Sequence, residues 1–271
     1  MASETRRLCP SPESWIEPFQ SISESRLSTR KSARHSPVVY HRNMSLWPPA
    51  RAETPLAVLV SGGLDSAVLL AESLRAYPEV TPLTIRTGAI WEAAERDHLR
   101  RFLAVIRSPA LRPPVELEMP VGDLYGHHWS LTGKDIPAAD TSDDAVYLAG
   151  RNVILLGKAL LWCHLRGIPE LATAPLASNP FPDGTDAFYN GLAEVVSLGV
   201  RGRVRVLRPY AELGLTKIDV LKRGAGLPLQ LTFSCLGPAG SMHCGRCNKC
   251  AERRRGFADA GMDDPTEYAP D

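Results

Sequence analysis

An unbroken apolar run, Leu56-Ala57-Val58-Leu59-Val60, leads directly into Ser61-Gly62-Gly63-Leu64-Asp65-Ser66 and then into a helical stretch over residues 67–76. This succession constrains the fold more than any other feature of the chain. A short continuous apolar run suits a strand buried on both faces, and such strands belong to parallel sheets covered by helices. Val68, Leu69 and Leu70 supply the inner face of the helix. The paired glycines let the backbone take left-handed angles and approach an anion closely. Exposed amides there, together with the positive end of the helix, make a phosphate site. Ser61 and Ser66 add hydroxyl donors, and Asp65 is placed either to hold a metal or to cap the helix. The pattern is neither G-x-x-x-x-G-K-[ST] nor the dinucleotide G-x-G-x-x-G. The plainer alternative is a Gly-rich turn with an Asp cap.

The same alternation continues downstream. Residues 81–85 and 115–119 read as strands, with a helix over 91–106 between them. In that helix Trp91, Glu95, His98, Phe102 and Val105 recur at helical spacing. A polar stretch over 120–150 carries Asp135, Asp140, Asp143 and Asp144. Helices follow over 151–165, 186–197 and 216–223, with strands over 171–174 and 203–207. Strands alternating with helices predict an α/β fold with a parallel sheet covered on both faces.

Residues 1–54 differ, with ten serines, eight Lys or Arg and little periodicity. They predict a disordered tail. Glu4, Glu13, Glu17 and Glu24 count against a transit peptide, and Met44 offers an alternative start just before the first strand. Residues 55–228 are expected to form the nucleotide-binding domain and 229–271 a small metal-binding appendage. With 31 basic and 30 acidic side chains, no net field draws a polyanion, so a nucleic-acid partner is not expected. No apolar run reaches the length of a membrane span and no secretory core precedes the first strand, which predicts a cytoplasmic protein.

Four of six cysteines cluster as Cys235-x8-Cys244-x2-Cys247-x2-Cys250. In a reducing compartment this reads as metal ligation, one tetrahedral Zn2+ held by four thiolates. Four cysteines leave no open position for a catalytic water, so the site is structural and pins the C-terminal segment. An iron–sulfur cluster and redox thiols are the alternatives. Cys163 falls in a helix and reads as core filler.

The Ser61-Gly62-Gly63-Leu64-Asp65-Ser66 string resembles the PP-loop of the ATP pyrophosphatases, which cleave ATP between the α and β phosphates. With the cysteines, the chain is similar to the 7-cyano-7-deazaguanine synthase (QueC) family over about residues 55–268. Its C-terminal stretch Leu231-Thr232-Phe233-Ser234-Cys235, then Cys244-Gly245-Arg246-Cys247-Asn248-Lys249-Cys250, then Arg253, Arg255 and Gly256-Phe257, follows the family pattern. Gly150-Arg151-Asn152 and Leu215-Thr216-Lys217 match two further family motifs. The resemblance implies a PP-loop domain that adenylates 7-carboxy-7-deazaguanine with ATP and Mg2+. Ammonia then gives the amide, and a second ATP drives elimination to the nitrile. It implies that Ser61, Gly62, Gly63, Leu64, Asp65 and Ser66 hold pyrophosphate, with Asp65, Lys217 and Arg151 as catalytic groups. Arg151 and Asn152 would position nucleotide or substrate, and Asp183 would contact the purine-like base. A homodimer is also implied. For Lys217, Asn152 and Asp183 the plainer readings are a solvated lysine, a helix cap and a turn residue.

Departures gather where the acceptor should be chosen. The family's Asp-Tyr-Gly-Gln-Arg-His is Arg86-Thr87-Gly88-Ala89-Ile90-Trp91 here, and its Cys-Arg after Pro-Asp is Gly184-Thr185. Ala177-Ser178-Asn179 replaces Asp-Tyr-Ser. Trp91 is placed either in the core or against a flat base. Another adenylating ligase, a tRNA-thiolation enzyme, or a nucleotide-binding adaptor without turnover are the competing functions.

Overall fold

The computed structural model describes residues 46–47 and 53–270. Most of the tail expected to lack order lies outside the described residues. Leu46 and Trp47, placed in that tail by their polar surroundings, are instead buried, and the Trp47 ring meets Tyr77 edge-on at 5.1 Å. Two large apolar side chains gain enough from burial to dock without any periodic pattern around them.

Five parallel strands form the sheet: β1 (Leu56–Leu59), β2 (Val80–Arg86), β3 (Val115–Glu118), β4 (Glu170–Ala172) and β5 (Arg205–Leu207). Their order is β3-β2-β1-β4-β5, with Leu56 paired to Val80 on one side and to Glu170 on the other. The six longer helices are α1 (Leu64–Ala76), α2 (Glu92–Val105), α3 (Arg151–Leu165), α4 (Asp186–Val200), α5 (Lys217–Arg223) and α6 (Asn248–Asp259).

Because side chains alternate along a strand, β1 feeds two cores. Leu56, Val58 and Val60 face Val68, Leu69, Val220 and Phe257, from α1, α5 and α6. Ala57 faces the opposite way, toward Leu156, Leu160 and Cys163 of α3 and Tyr189 and Ala193 of α4. Cys163 is fully buried and its thiol is pushed up to about 12 by burial, as core filler requires.

The helix α6 is absent from the sequence reading. Arg253 is the reason: a cation in the buried stripe hides the period. Its guanidinium donates to Leu229 O at 2.8 Å and Thr232 Oγ1 at 2.9 Å, so it is buried with partners. Phe233 and the cysteines share an apolar cluster with Trp91 and Ala94, which packs residues beyond 229 against the start of α2.

Candidate active site and metal centre

Strand order reverses direction at β1, with β2 and β3 to one side and β4 and β5 to the other. In open parallel sheets the crevice at such a switch point, beyond the carboxyl ends of the strands, is where ligands bind. A cavity of about 410 Å³ opens there. Its walls are the 61–66 loop, the end of β2, the Thr173-Ala174-Pro175 segment after β4, and side chains from the first two turns of α2, α3, α5 and α6.

The loop has little room to vary. Gly62 has φ +90°, and a Cβ there would lie 2.7 Å from the Glu95 carbonyl oxygen. On its other side Phe233 N–H donates to Gly62 O at 2.8 Å. Gly63 is the N-cap of α1 and offers no side-chain cap, so the first-turn amides are left for another acceptor. Ser61 Oγ accepts from Gly63 N–H at 3.2 Å, and Ser66 Oγ donates to Gly63 O at 3.1 Å.

Asp65 does not cap α1. Its two carboxylate oxygens lie 2.9 and 2.6 Å from Lys217 Nζ. Lys217 is therefore no solvated lysine. A capping box between Thr216 and Asp219 starts α5 and sets Lys217 at its first position. Glu252 of α6 lies 3.3 Å from the same ammonium. Burial works against the Lys217 charge, but Asp65 and Glu252 outweigh it and hold its pKa above the usual lysine value. Burial likewise works against Glu252 ionising, and Lys217 and Lys249 overcome it to hold the carboxyl at about 2.

Arg151 opens α3 and lines the cavity, and among the described residues its guanidinium has no ion-pair partner. Asn152 lines the same wall. Asp183 stands in the loop whose Asn179 and Phe181 line the cavity. It is buried outside the cavity lining, accepting from Asn152 N–H at 3.3 Å, while Asn152 Nδ2 donates to the Asp183 carbonyl at 3.0 Å. Its carboxylate braces the start of α3, where Arg151 and Asn152 stand.

The divergent loop after β2 is held by Glu92. Its carboxylate accepts from Thr87 N–H at 2.6 Å, Thr87 Oγ1 at 2.8 Å and Gly88 N–H at 3.1 Å. Trp91 is 5% exposed and packs on Trp129 at 5.6 Å, so it joins the core while also lining the cavity. Arg86 pairs with Glu116 and Glu118 at 3.4 and 3.5 Å. Sequence reasoning treated Glu95 as one more position on a helix face and missed Glu252 with α6. Glu95 lines the cavity, and burial pushes its carboxyl up to about 8, against the pull of Arg151. The available signal was an acid at an inward position of the helical repeat.

The four cysteines meet as the spacing requires. All are buried, and their sulfurs lie within 4.8 Å of one another. The separations include 4.0 Å for Cys244–Cys250 and 3.9 Å for Cys247–Cys235. Tetrahedral ligands about 2.3 Å from a zinc are about 3.8 Å apart, so the cluster fits such a cation with little adjustment. Backbone N–H groups of Leu236 and Cys244 point at Cys247 and Cys235 sulfurs, at 3.4 and 3.3 Å, as suits thiolates. The centre stands two residues beyond Phe233, whose N–H holds Gly62. One hydrogen bond thus links the segment that carries the cysteine cluster to the 61–66 loop.

A family model described as queuosine biosynthesis protein QueC matches residues 56–261. The 7-cyano-7-deazaguanine synthase of Syntrophobacter fumaroxidans is 34% identical over 79% of this chain and 96% of its own length. The protein of the same name from Methanothermobacter thermautotrophicus is 30% identical over 78% and 97%. That from Xanthomonas oryzae is 32% identical over 78% and 96%. The span matched takes in the loop, Arg151, Lys217 and all four cysteines, and this chain belongs to the QueC family of queuosine biosynthesis proteins.

Proposed function

We propose that this chain converts 7-carboxy-7-deazaguanine and ammonia to 7-cyano-7-deazaguanine, using ATP cleaved to AMP and pyrophosphate. One observation carries the reading. An uncapped helix start, the Asp65–Lys217 pair and the unpaired Arg151 border one cavity at the sheet's switch point. A carboxylate is a poor electrophile, and joining it to AMP supplies a good leaving group. What the protein must do is bind the departing diphosphate, offset its charge and hold the partners in line.

In this reading the amides of Gly63 to Ser66 and the hydroxyls of Ser61 and Ser66 bind the β and γ phosphates. Lys217 exchanges part of its contact with Asp65 for phosphate oxygens as charge develops on the leaving group. Asp65 is the carboxylate that would hold Mg2+, which would screen the phosphates when bound. Arg151 holds the acceptor's carboxylate toward the α phosphorus, with Asn152 beside it. Water is kept from the acyl adenylate by the apolar lining of Leu59, Ile85, Leu155 and Leu156. The cysteine centre takes structural zinc, and a cytoplasmic location suits thiols that must stay reduced. A homodimer would bury Leu161, Leu165, Val195 and Leu198, which are 45–77% exposed on α3 and α4.

The test supplies purified protein with ATP, Mg2+, ammonium and 7-carboxy-7-deazaguanine, and measures AMP and nitrile. Both should appear only when the acceptor is present. AMP formed with some other carboxylate alone would assign a different ligase, and nucleotide binding without turnover would assign an adaptor.

A further inference from the structure

The charges bordering the cavity pair off almost completely. Asp65 and Glu252 are taken up by Lys217, and Glu252 also by Lys249 at 2.5 Å. Glu116 is taken up by Arg86 and by Arg96 at 3.1 Å. Glu92 is spent on Thr87 and Gly88. Arg253 is bonded to Leu229 and Thr232. Among the described residues this leaves one cavity-lining carboxyl and one cavity-lining cation without a hydrogen-bond or ion-pair partner, Glu95 and Arg151. They sit on different walls, at the starts of α2 and α3.

Glu95 is tied closely to the phosphate loop, because its own carbonyl is the atom that packs against Gly62. The loop, Glu95 and Arg151 all line the same cavity, and Glu95 and Arg151 interact electrostatically across the interval between them. A carboxylate bound to Arg151 and joined to the α phosphate must have its reacting carbon in that interval.

We propose that Glu95 is the proton acceptor for the nitrogen-transfer steps, taking the protons that ammonia nitrogen sheds as it becomes amide and then nitrile. The assignment rests on the function proposed above. In the first stage the ammonia lone pair forms the C–N bond, and AMP leaves with the electrons of the C–O bond. The extra proton on nitrogen passes to Glu95. In the second stage the amide oxygen attacks the α phosphorus of another ATP, and pyrophosphate leaves. Loss of two N–H protons and departure of AMP with the C–O electrons then complete the triple bond. Each proton goes from nitrogen to the Glu95 carboxylate and on to water through the cavity mouth, and nothing is oxidised or reduced.

The surroundings fit this use. The start of α2 would normally favour the ionised form. Burial outweighs it, Glu92 on the same helix adds to the upward push, and Arg151 opposes. The remaining neighbours are already neutralised in the pairs above. A carboxyl with its pKa at about 8 is uncharged often enough to admit a triphosphate, yet strong enough as a base to take a proton from a nitrogen adduct.

The experiment compares wild type with Glu95→Gln and Glu95→Asp. One readout is acceptor-dependent exchange of labelled pyrophosphate into ATP without ammonia, which needs no proton acceptor. The other is nitrile formation at constant unprotonated ammonia from about pH 6.5 to about 9.5. For Glu95→Gln we expect exchange within about threefold of wild type and nitrile formation reduced at least about 100-fold. The wild-type rise with pH near 8 should vanish, and Glu95→Asp should restore part of the rate. The Gln variant should also melt higher at pH 8, because it no longer carries the cost of burying that charge. Equal loss of exchange and nitrile would make Glu95 a substrate-binding residue and overturn the proposal, as would unchanged nitrile formation or a lower melting temperature with both activities lost. A wild-type protein without acceptor-dependent exchange would overturn the proposed function itself, and the step assigned here with it.

Discussion

Two glycines with nearly the same backbone angle separate what the phosphate loop costs from what it does. Gly62 and Gly88 have φ +90° and +92°. An alanine at either position pays for a left-handed conformation, about 1 kcal/mol or somewhat more. At Gly88 a Cβ meets nothing within 4 Å, so that term stands alone. At Gly62 the Cβ would be 2.7 Å from Glu95 O and 3.5 Å from Leu99 Cβ. Glu95 O is a backbone acceptor inside α2 and cannot rotate away, so the loop must move instead. That movement costs about 1 kcal/mol in overpacking against α2, and straining the Phe233 N–H bond to Gly62 O adds about another 1 kcal/mol. We expect Gly62→Ala to lose about 3 kcal/mol in all and Gly88→Ala about 1 kcal/mol. For a domain of this size each kcal/mol lowers the melting temperature by about 2–4 °C. Thermal melts should therefore fall by about 6–12 °C and about 2–4 °C respectively. Pyrophosphate exchange should be lost by at least about 100-fold in Gly62→Ala only, since displaced amides no longer meet the phosphates. Equal melting shifts for the two variants, or full exchange with alanine at 62, would refute the close packing of α2 on the loop.

Other outcomes follow from the same geometry. Asp65→Ala should abolish AMP formation by at least about 100-fold with the circular dichroism spectrum unchanged, because the pair it forms with Lys217 borders the cavity rather than the core. Cys250→Ser should carry well under one metal per chain by elemental analysis, and should weaken nucleotide binding by freeing the segment that holds Gly62. Glu252, held at about 2 in the fold, contributes stability that is complete above the ordinary glutamate pKa and lost as pH falls from about 4.5 toward 2. Melts of Glu252→Gln should lack that acid limb. Leu165→Glu should shift the proposed homodimer toward monomer by light scattering, since Leu165 is 77% exposed.

Legibility in the sequence followed the strength of local pattern. All five strands and the helices over α1 to α5 carry a continuous apolar run, an apolar–polar alternation or a 3.6-residue period, and the structure places them within a few residues of where the sequence does. The parallel sheet follows from their alternation. The cysteine centre was legible from spacing alone, because four ligands within sixteen positions must turn tightly to meet one cation. What escaped was decided by tertiary partners. The buried Arg253 gives α6 the look of a solvated helix. Leu46 and Trp47 have no period to join. Asp183 reads as a residue aimed at ligand, and only the position of Asn152 shows where its oxygens go. Glu95 is invisible as a chemical group until Gly62, Arg151 and the cavity are placed around it.

Isotope transfer tests the central claim most directly. The acceptor, prepared with ¹⁸O in its carboxylate, is turned over with ATP, and the products are examined by mass spectrometry. If the loop holds a departing pyrophosphate while the acid joins the α phosphorus, one labelled oxygen must appear in AMP. Label found in inorganic phosphate beside ADP, or AMP formed without label, would contradict the account.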